Sequence, residues 1–290
     1  MAALKITRED VILGSNKLPS FPRFVVDILT ELDDPDGSLT VLAGCVIRDP
    51  VITARVLSVA NQASTNSRRM SAVNDIYTAI SLIGMSQVRQ ITLVSCLGSF
   101  VGGVAVQGLP STYWKHCLAV GVSCEELAQY VAAPISTDAA LVAGLLHDVG
   151  QLWFYTFYAD LYRQCWQQAL NQAVSIEVVE RAYFGVDHST VGAWLAEHWS
   201  LPIGIIAAIR GHHVPDATGS NLLVPLVHLA EVLCNALDLG GREENRVTYV
   251  STAACQQLDL LWDERIRPLF GRIEARSQHA NAFFMTDAPA

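Results

Sequence analysis

Nowhere in these 290 residues do lysine and arginine form a dense run, and the formal net charge is −9. A nucleic-acid-binding face needs clustered cations to displace counterions from phosphates, so the acidic balance weighs against that class of partner. The pair Arg68-Arg69 reads as a solvated turn. Also lacking is an unbroken apolar run long enough for a bilayer. The nearest approach, Gln90 to Trp114, is interrupted by Gly98, Gly102, Gly103, Gly108 and Pro110, and reads as a buried helix followed by a loop. The N-terminal MAALKITRED carries charge at once and has no secretory apolar core. The seven cysteines include no CxxC pair, and an odd count fits reduced thiols in the cytoplasm, most of them small core residues. Charged residues are scarce, 16% against 51% hydrophobic, the reverse of a disordered composition and enough for a sizeable core.

What is present is helical periodicity, with period-2 alternation only in short stretches, so the expected fold class is all-α. Phe21, Phe24, Val25, Ile28, Leu29 and Leu32 share one helix face. Ser38 is a candidate N-cap for a helix carrying Leu39, Leu42, Ala43, Val46 and Ile47. That helix must stop near Asp49-Pro50, where Asp49 can cap a third helix. Ile76, Ala79, Ile80 and Ile83 form the next stripe, with Gly84 suited to a left-handed C-terminal position and Ser86 to the following start. A subdomain boundary is placed in the glycine-rich stretch near Gly103–Pro110. Helices resume at Ser111 and before Ala139, and Asp187, Pro202 and Asn221 mark further starts. The expected organisation is two packed helical subdomains, residues 1–105 and 106–240, then C-terminal helices over 241–290 with a loose tail after about Arg276.

The chemistry-bearing residues are His116, His147-Asp148, His188, His212-His213 and Glu231, each on a different predicted helix or helix end. A centre inside a helical bundle needs this dispersion, because its ligands must converge from several facing helices. Neutral imidazole and carboxylate suit first-row divalent metals such as Fe, Mn or Zn. The doublet weighs most: His147-Asp148 follows an apolar helix, a buried Asp there needs a partner or a metal, and Gly150 can end the turn. Each residue also has a structural reading. Asp148 could cap the next segment, and His147 could be a hydrogen-bonded core residue. His188 could be a first-turn surface residue, His212-His213 a solvated helix end, His116 a core or interface histidine, and His228 structural. His198 and His279 read as surface residues.

The order His116, His147-Asp148, His188, His212-His213 is similar to the HD phosphohydrolase superfamily, especially its HD-GYP branch. The N-terminal half resembles the HDOD signature through Leu18 to Pro22, Ile47 to Pro50, Ala54 to Leu57, Val59 to Asn61 and Ala79 to Gly84. Gly144 to Gly150 and Ile209 to His213 extend the likeness, which covers about Leu18 to Leu237. The resemblance implies an all-α fold with an HD-like C-terminal half, and a bacterial regulatory role, often as a response-regulator output without HD enzyme activity. It implies a divalent metal held by the residues named, and nucleotides or cyclic dinucleotides as the ligand class. The match is incomplete: Gln151 stands where the HD-GYP pattern places lysine, Thr112 where it has an upstream glutamate, and Glu231 only approximates a late aspartate. The GYP signature is absent from Ser175 to Phe184. The expected function is therefore a non-catalytic regulator with a protein partner in a signalling pathway. A metal-dependent phosphohydrolase of nucleotides or cyclic dinucleotides is the alternative, and a metal-bearing sensor without catalysis lies between them.

Overall fold

The helical stripes read from the sequence become thirteen α-helices, with no strand among the described residues, so the fold is all-α. A computed structural model describes residues 4–18, 39–48, 50–66, 73–85, 87–89, 91–92, 95, 109–110, 112–217, 221–241, 249–260, 263–264 and 266–286. The expected helix over 21–32, the caps Ser38, Asp49 and Ser86, the start Ser111 and the Arg68-Arg69 turn lie outside them. By its contacts the chain divides into residues 21–103 and a larger unit made of 1–20 and 104–290.

The smaller unit holds α2 (Leu39–Arg48), α3 (Pro50–Asn66) and α4 (Ile76–Ile83). Its buried residues follow helical spacing: Leu42, Ala43 and Val46, then Ile52, Val56 and Ala60, then Ile76, Ala79 and Ile80. Side chains close the corners. Thr53 Oγ1 donates to Val46 O at 2.8 Å, and Asn61 pairs with the backbone of Val73 at 2.8 and 2.9 Å. Asp75 caps α4 through Thr78 N. Gly84 does end α4, but at φ 85°, ψ 153° rather than in the expected left-handed helical region. That conformation belongs almost to glycine alone, and helical backbone resumes directly after it, with Val88 N donating to Gly84 O at 3.2 Å.

The larger unit holds α1 (Arg8–Ser15), α5 (Thr112–Ala128), α6 (Thr137–Leu146), α7 (Val149–Gln172), α8 (Ile176–Phe184), α9 (His188–His198), α10 (Ile203–Gly211), α11 (Leu223–Ala236), α12 (Thr252–Gln257) and α13 (Arg267–Thr286). Two close helix approaches set the position of the site. At the first, α5 and α6 meet through glycine: a Cβ on Gly144 would lie 2.7 Å from Cys124 Sγ and 2.8 Å from Gly121 Cα. At the second, a Cβ on Gly150 would lie 1.9 Å from the carbonyl oxygen of His188, so only glycine lets α7 reach α9. Gly150 therefore does not end a turn, as its position suggests. It lies in the first turn of α7, where its missing side chain matters more than its flexibility.

Ahead of α1, Leu4 N and Ile6 N donate to Tyr183 O and Phe184 O at 2.9 and 3.0 Å, satisfying carbonyls at the end of α8. α13 continues to Thr286, beyond the point where a loose tail is expected. Its inner face, Leu269, Ile273 and Ser277, stays buried, and Arg272 and Arg276 bond the buried carboxylate of Glu126 on α5. No helix among the described residues is long and apolar enough to cross a membrane.

Candidate metal centre

The backbone of Asp148 occupies the N-cap position of α7, yet its side chain makes no capping hydrogen bond. A filled cap contributes about 1 kcal/mol, so something must offset its loss. The carboxylate instead lies 1% exposed among four imidazoles. Oδ1 is 3.3 Å from His188 Nε2 and 3.9 Å from His212 Nε2, while Oδ2 is 3.5 Å from His147 Nε2 and 3.8 Å from His116 Nε2. Taking a carboxylate out of water costs several kcal/mol unless positive charge meets it, so protons or a cation belong among these rings. Tyr113 Oη donates to the backbone carbonyl of Asp148 at 3.1 Å and fixes the turn that carries it.

The rings are aimed by their second nitrogens. His147 ends α6, and its Nδ1 donates to Gly144 O, three residues back, at 2.7 Å. His212 ends α10 and repeats the device on Ile209 O at 2.9 Å. Both use a carbonyl that the helix end leaves open. A carbonyl can only accept, so Nδ1 carries the hydrogen in both rings. When the ring is neutral, Nε2 then keeps its lone pair toward the interior. Burial, reinforced by His147 and His188, holds the His212 pKa down at about 3, so that ring is neutral, and its buried Nε2 makes no hydrogen bond. A buried nitrogen lone pair without a donor is what a metal-ligating imidazole presents. This observation, with the chemistry of the donor set, fits the residues to a first-row divalent ion.

His188 and His213 differ. Their Nε2 atoms are 2.9 Å apart, so one must carry a proton for the other to accept. Burial favours neutral His188, but Glu180 and Asp148 outweigh it and raise its pKa well above the usual value. Burial, with His212 and His188 adding to it, holds His213 well below the usual value. His188 is thus the donor.

All seven predicted ligands come together in two groups whose ligand atoms lie within 4.8 Å of one another: Asp148, His188, His212 and His213, and His116, His147 and Glu231. The surface reading of His188 does not hold, since it is fully buried, and His212 is not solvated either. Gln151 is buried in the first turn of α7, its N–H on Asp148 O at 2.8 Å. His228 lies outside both groups and is structural. Its Nδ1 donates to His212 O at 2.9 Å, its Nε2 accepts from Ser251 N at 3.2 Å, and burial keeps its pKa low. His198 is exposed, and the side chain of His279 lies outside the described residues.

The HDOD domain family matches residues 18–215, well over half of the chain. The chain belongs to the HDOD family. Among solved structures, this HDOD protein is similar to an HDOD domain protein of unknown function from Geobacter sulfurreducens, with 23% identity, 97% and 98% of the two chains covered and a TM-score of 0.67. It is also similar to a candidate signal transduction protein from Marinobacter aquaeolei, with 21% identity, 97% and 62% covered and a TM-score of 0.73. At such identities the likeness is one of fold. An uncharacterized protein of Treponema pallidum is 22% identical over 199 residues, 68% of this chain and 37% of its own. Ribonuclease Y of Thermus thermophilus is 30% identical over 166 residues, 57% of this chain and 23% of its own. The HDOD chain thus spans well under half the length of either relative.

One residue of the HDOD site escapes the sequence reading. Glu180, fully buried on α8, accepts from His188 N at 2.8 Å, His188 Nδ1 at 2.7 Å and Tyr162 Oη at 2.6 Å. The signal was in the sequence: Glu180 falls on the stripe Ile176, Val179, Phe184, the apolar face of an amphipathic helix.

Proposed function

We propose that this chain is a signal-transducing HDOD regulator whose larger unit holds a divalent metal of the Fe, Mn or Zn class without turning over a phosphodiester. The observation that carries the reading is Asp148, withdrawn from its capping role to join His188, His212 and His213, with its other oxygen facing His147 and His116 of the second group. Asp148, His188, His212 and His213 would hold an ion on one side, and His116, His147 and Glu231 on the other. Bound there, a divalent ion supplies Lewis acidity and a seat for phosphoryl oxygens. The chain's own residues orient the rings, exclude water and neutralise the buried carboxylate.

Regulation rather than turnover is favoured by Gln151, a buried neutral amide where the resembling hydrolases carry lysine. Without that cation, charge developing on a phosphoryl group loses a stabilising contact. The ligand class is a nucleotide or cyclic dinucleotide, bound rather than cleaved, and the output is a contact with a protein partner. Hydrolysis is the second reading, favoured by the complete histidine set and by the name of the ribonuclease relative.

The test is elemental analysis of purified wild type and His147→Ala, joined to a hydrolysis screen with a simple phosphodiester, cyclic dinucleotides and a short oligoribonucleotide. The expected result is stoichiometric metal in the wild type, reduced metal in the variant, and no turnover in either. Turnover at an enzyme-like rate, lost in Asp148→Ala, would replace regulation by the hydrolytic reading. Absence of metal even after incubation with Mn, Fe or Zn would remove the metal from both.

A further inference from the structure

Glu180 has no place in the ligand set, yet it is a fully buried carboxylate bonded directly to one of the ligands. Both oxygens are used: Oε1 accepts from Tyr162 Oη at 2.6 Å, and Oε2 accepts from both the backbone N and the ring Nδ1 of His188, at 2.8 and 2.7 Å. Glu180, His188 and Tyr162 are fully buried, so no water competes for these bonds. The three residues stand on different helices: Tyr162 past the middle of α7, Glu180 on α8, and His188 at the first position of α9.

Geometry separates this carboxylate from a simple helix cap. Asp187 already caps α9 through Thr190 N at 3.0 Å. Glu180 takes the next open N–H, that of His188, and with the same oxygen takes the ring. Backbone and imidazole are thereby held by one atom, which fixes the side-chain torsions of His188 as well as its tautomer. With Nδ1 committed to Glu180, only Nε2 faces Asp148, at 3.3 Å. His147 and His212 bond neutral carbonyls for the same purpose, whereas His188 has an ionisable acceptor, which makes its ring the more electron-rich donor.

We propose that Glu180, braced by Tyr162, is a positioning residue that sets the orientation and donor strength of His188 in the centre. Its metal-related part rests on the metal-holding role proposed above, and its geometric part does not. Removing the acceptor charge while keeping the shape, as in Glu180→Gln, weakens the metal by about 10- to 100-fold, the usual effect of losing a carboxylate behind a ligating histidine. Tyr162→Phe gives a smaller loss in the same direction.

The experiment has two arms on the full-length chain. In the first, Co2+ is titrated into metal-stripped wild type, Glu180→Gln, Tyr162→Phe and His188→Ala, and the visible absorption bands are recorded. The expected outcome is a weaker site with shifted bands in Glu180→Gln, a milder change in Tyr162→Phe, and loss of the band set in His188→Ala. Wild-type affinity and bands in Glu180→Gln would overturn the assignment. In the second, metal-free protein with 15N-labelled histidine is studied by NMR, assigned through His188→Ala. A strongly deshielded, slowly exchanging Nδ1–H on His188 is expected in the wild type, moved upfield and exchanging faster in Glu180→Gln. A wild-type ring with no protected Nδ1–H, or one unchanged in Glu180→Gln, would overturn it without any metal. If wild type binds no Co2+, the metal reading falls alone, and the wild-type NMR spectrum still decides on Glu180.

Discussion

The two units of this chain place their polar groups in opposite ways. Among the described residues of 21–103, the buried polar side chains are Thr92 and Ser95, and each has a plain partner: Thr92 Oγ1 donates to Val88 O, and Arg55 donates to Ser95. The larger unit buries Asp148, Glu180, Glu126 and the histidines 116, 147, 188 and 212. Aliphatic packing of the first kind is worth its transfer and contact energy and little else. Buried ionisable groups lower stability unless each is met, and they persist where chemistry or ligand binding requires them. The smaller unit is thus built for shape, and the larger one gives up stability to hold ionisable groups in its interior.

Substitutions can break this contrast. The largest expected effect is that of Asp148→Ala, which should reduce divalent-metal affinity by at least about 100-fold: it removes a ligand of one group whose other oxygen lies beside His147 and His116 of the second, and should cost no less than losing a residue that only supports a ligand. Elemental analysis after dialysis reads this directly, and retention of wild-type metal would count against the two-group arrangement. Gly150→Ala should follow. Its Cβ meets the His188 carbonyl at 1.9 Å, so α7 and α9 must separate, at a cost upward of about 3 kcal/mol in urea unfolding and with loss of metal. Ile80→Ala in the smaller unit should cost about 2 to 3 kcal/mol by the same measurement and leave metal content untouched. If Ile80→Ala emptied the site, the units would not be separable in function.

The smallest effect is tied to pH. Burial alone would raise the pKa of Asp187, but bonds from Thr190, with His188 and Arg181 adding, hold it down at about 2. The folded value lies below the unfolded 3.8, so the stabilisation is complete above about pH 4 and lost as pH falls through about 2. It amounts to about 2 kcal/mol. Asp187→Asn should therefore flatten the acid limb of the stability curve, measured by thermal unfolding between pH 2 and 6, while leaving the neutral plateau lower.

The helices were legible because apolar spacing is local: Ile76, Ala79 and Ile80, or Ile52 and Val56, declare their faces without knowledge of the rest. The convergence of His116, His147, His188 and His212 was legible only as an order of residues matching a family, since no local pattern says that four helices meet. Glu180 was not read, because a glutamate on a helix is ordinarily solvated, and its place on an apolar stripe was overlooked beside the histidines. The run of α13 to Thr286 was missed for a related reason: chain ends fray by habit, and the bond that Arg276 makes to Glu126 belongs to α5, far away in sequence. Gly150 invited a turn assignment because its real constraint, the carbonyl of His188, belongs to another helix.

The bonds from Leu4 and Ile6 to the end of α8 have a practical consequence. The smaller unit is an insertion in the larger one, entered after residue 20 and left before 104. A fragment beginning at 104 would be an incomplete body. It would leave Tyr183 and Phe184 with open carbonyls and strip α1 from beside Trp153 and Phe157, where Gly14 now fits. Anyone wishing to isolate the histidine-bearing body should excise 21–103 and bridge the gap, or permute the chain so that residues 4–18 follow Thr286.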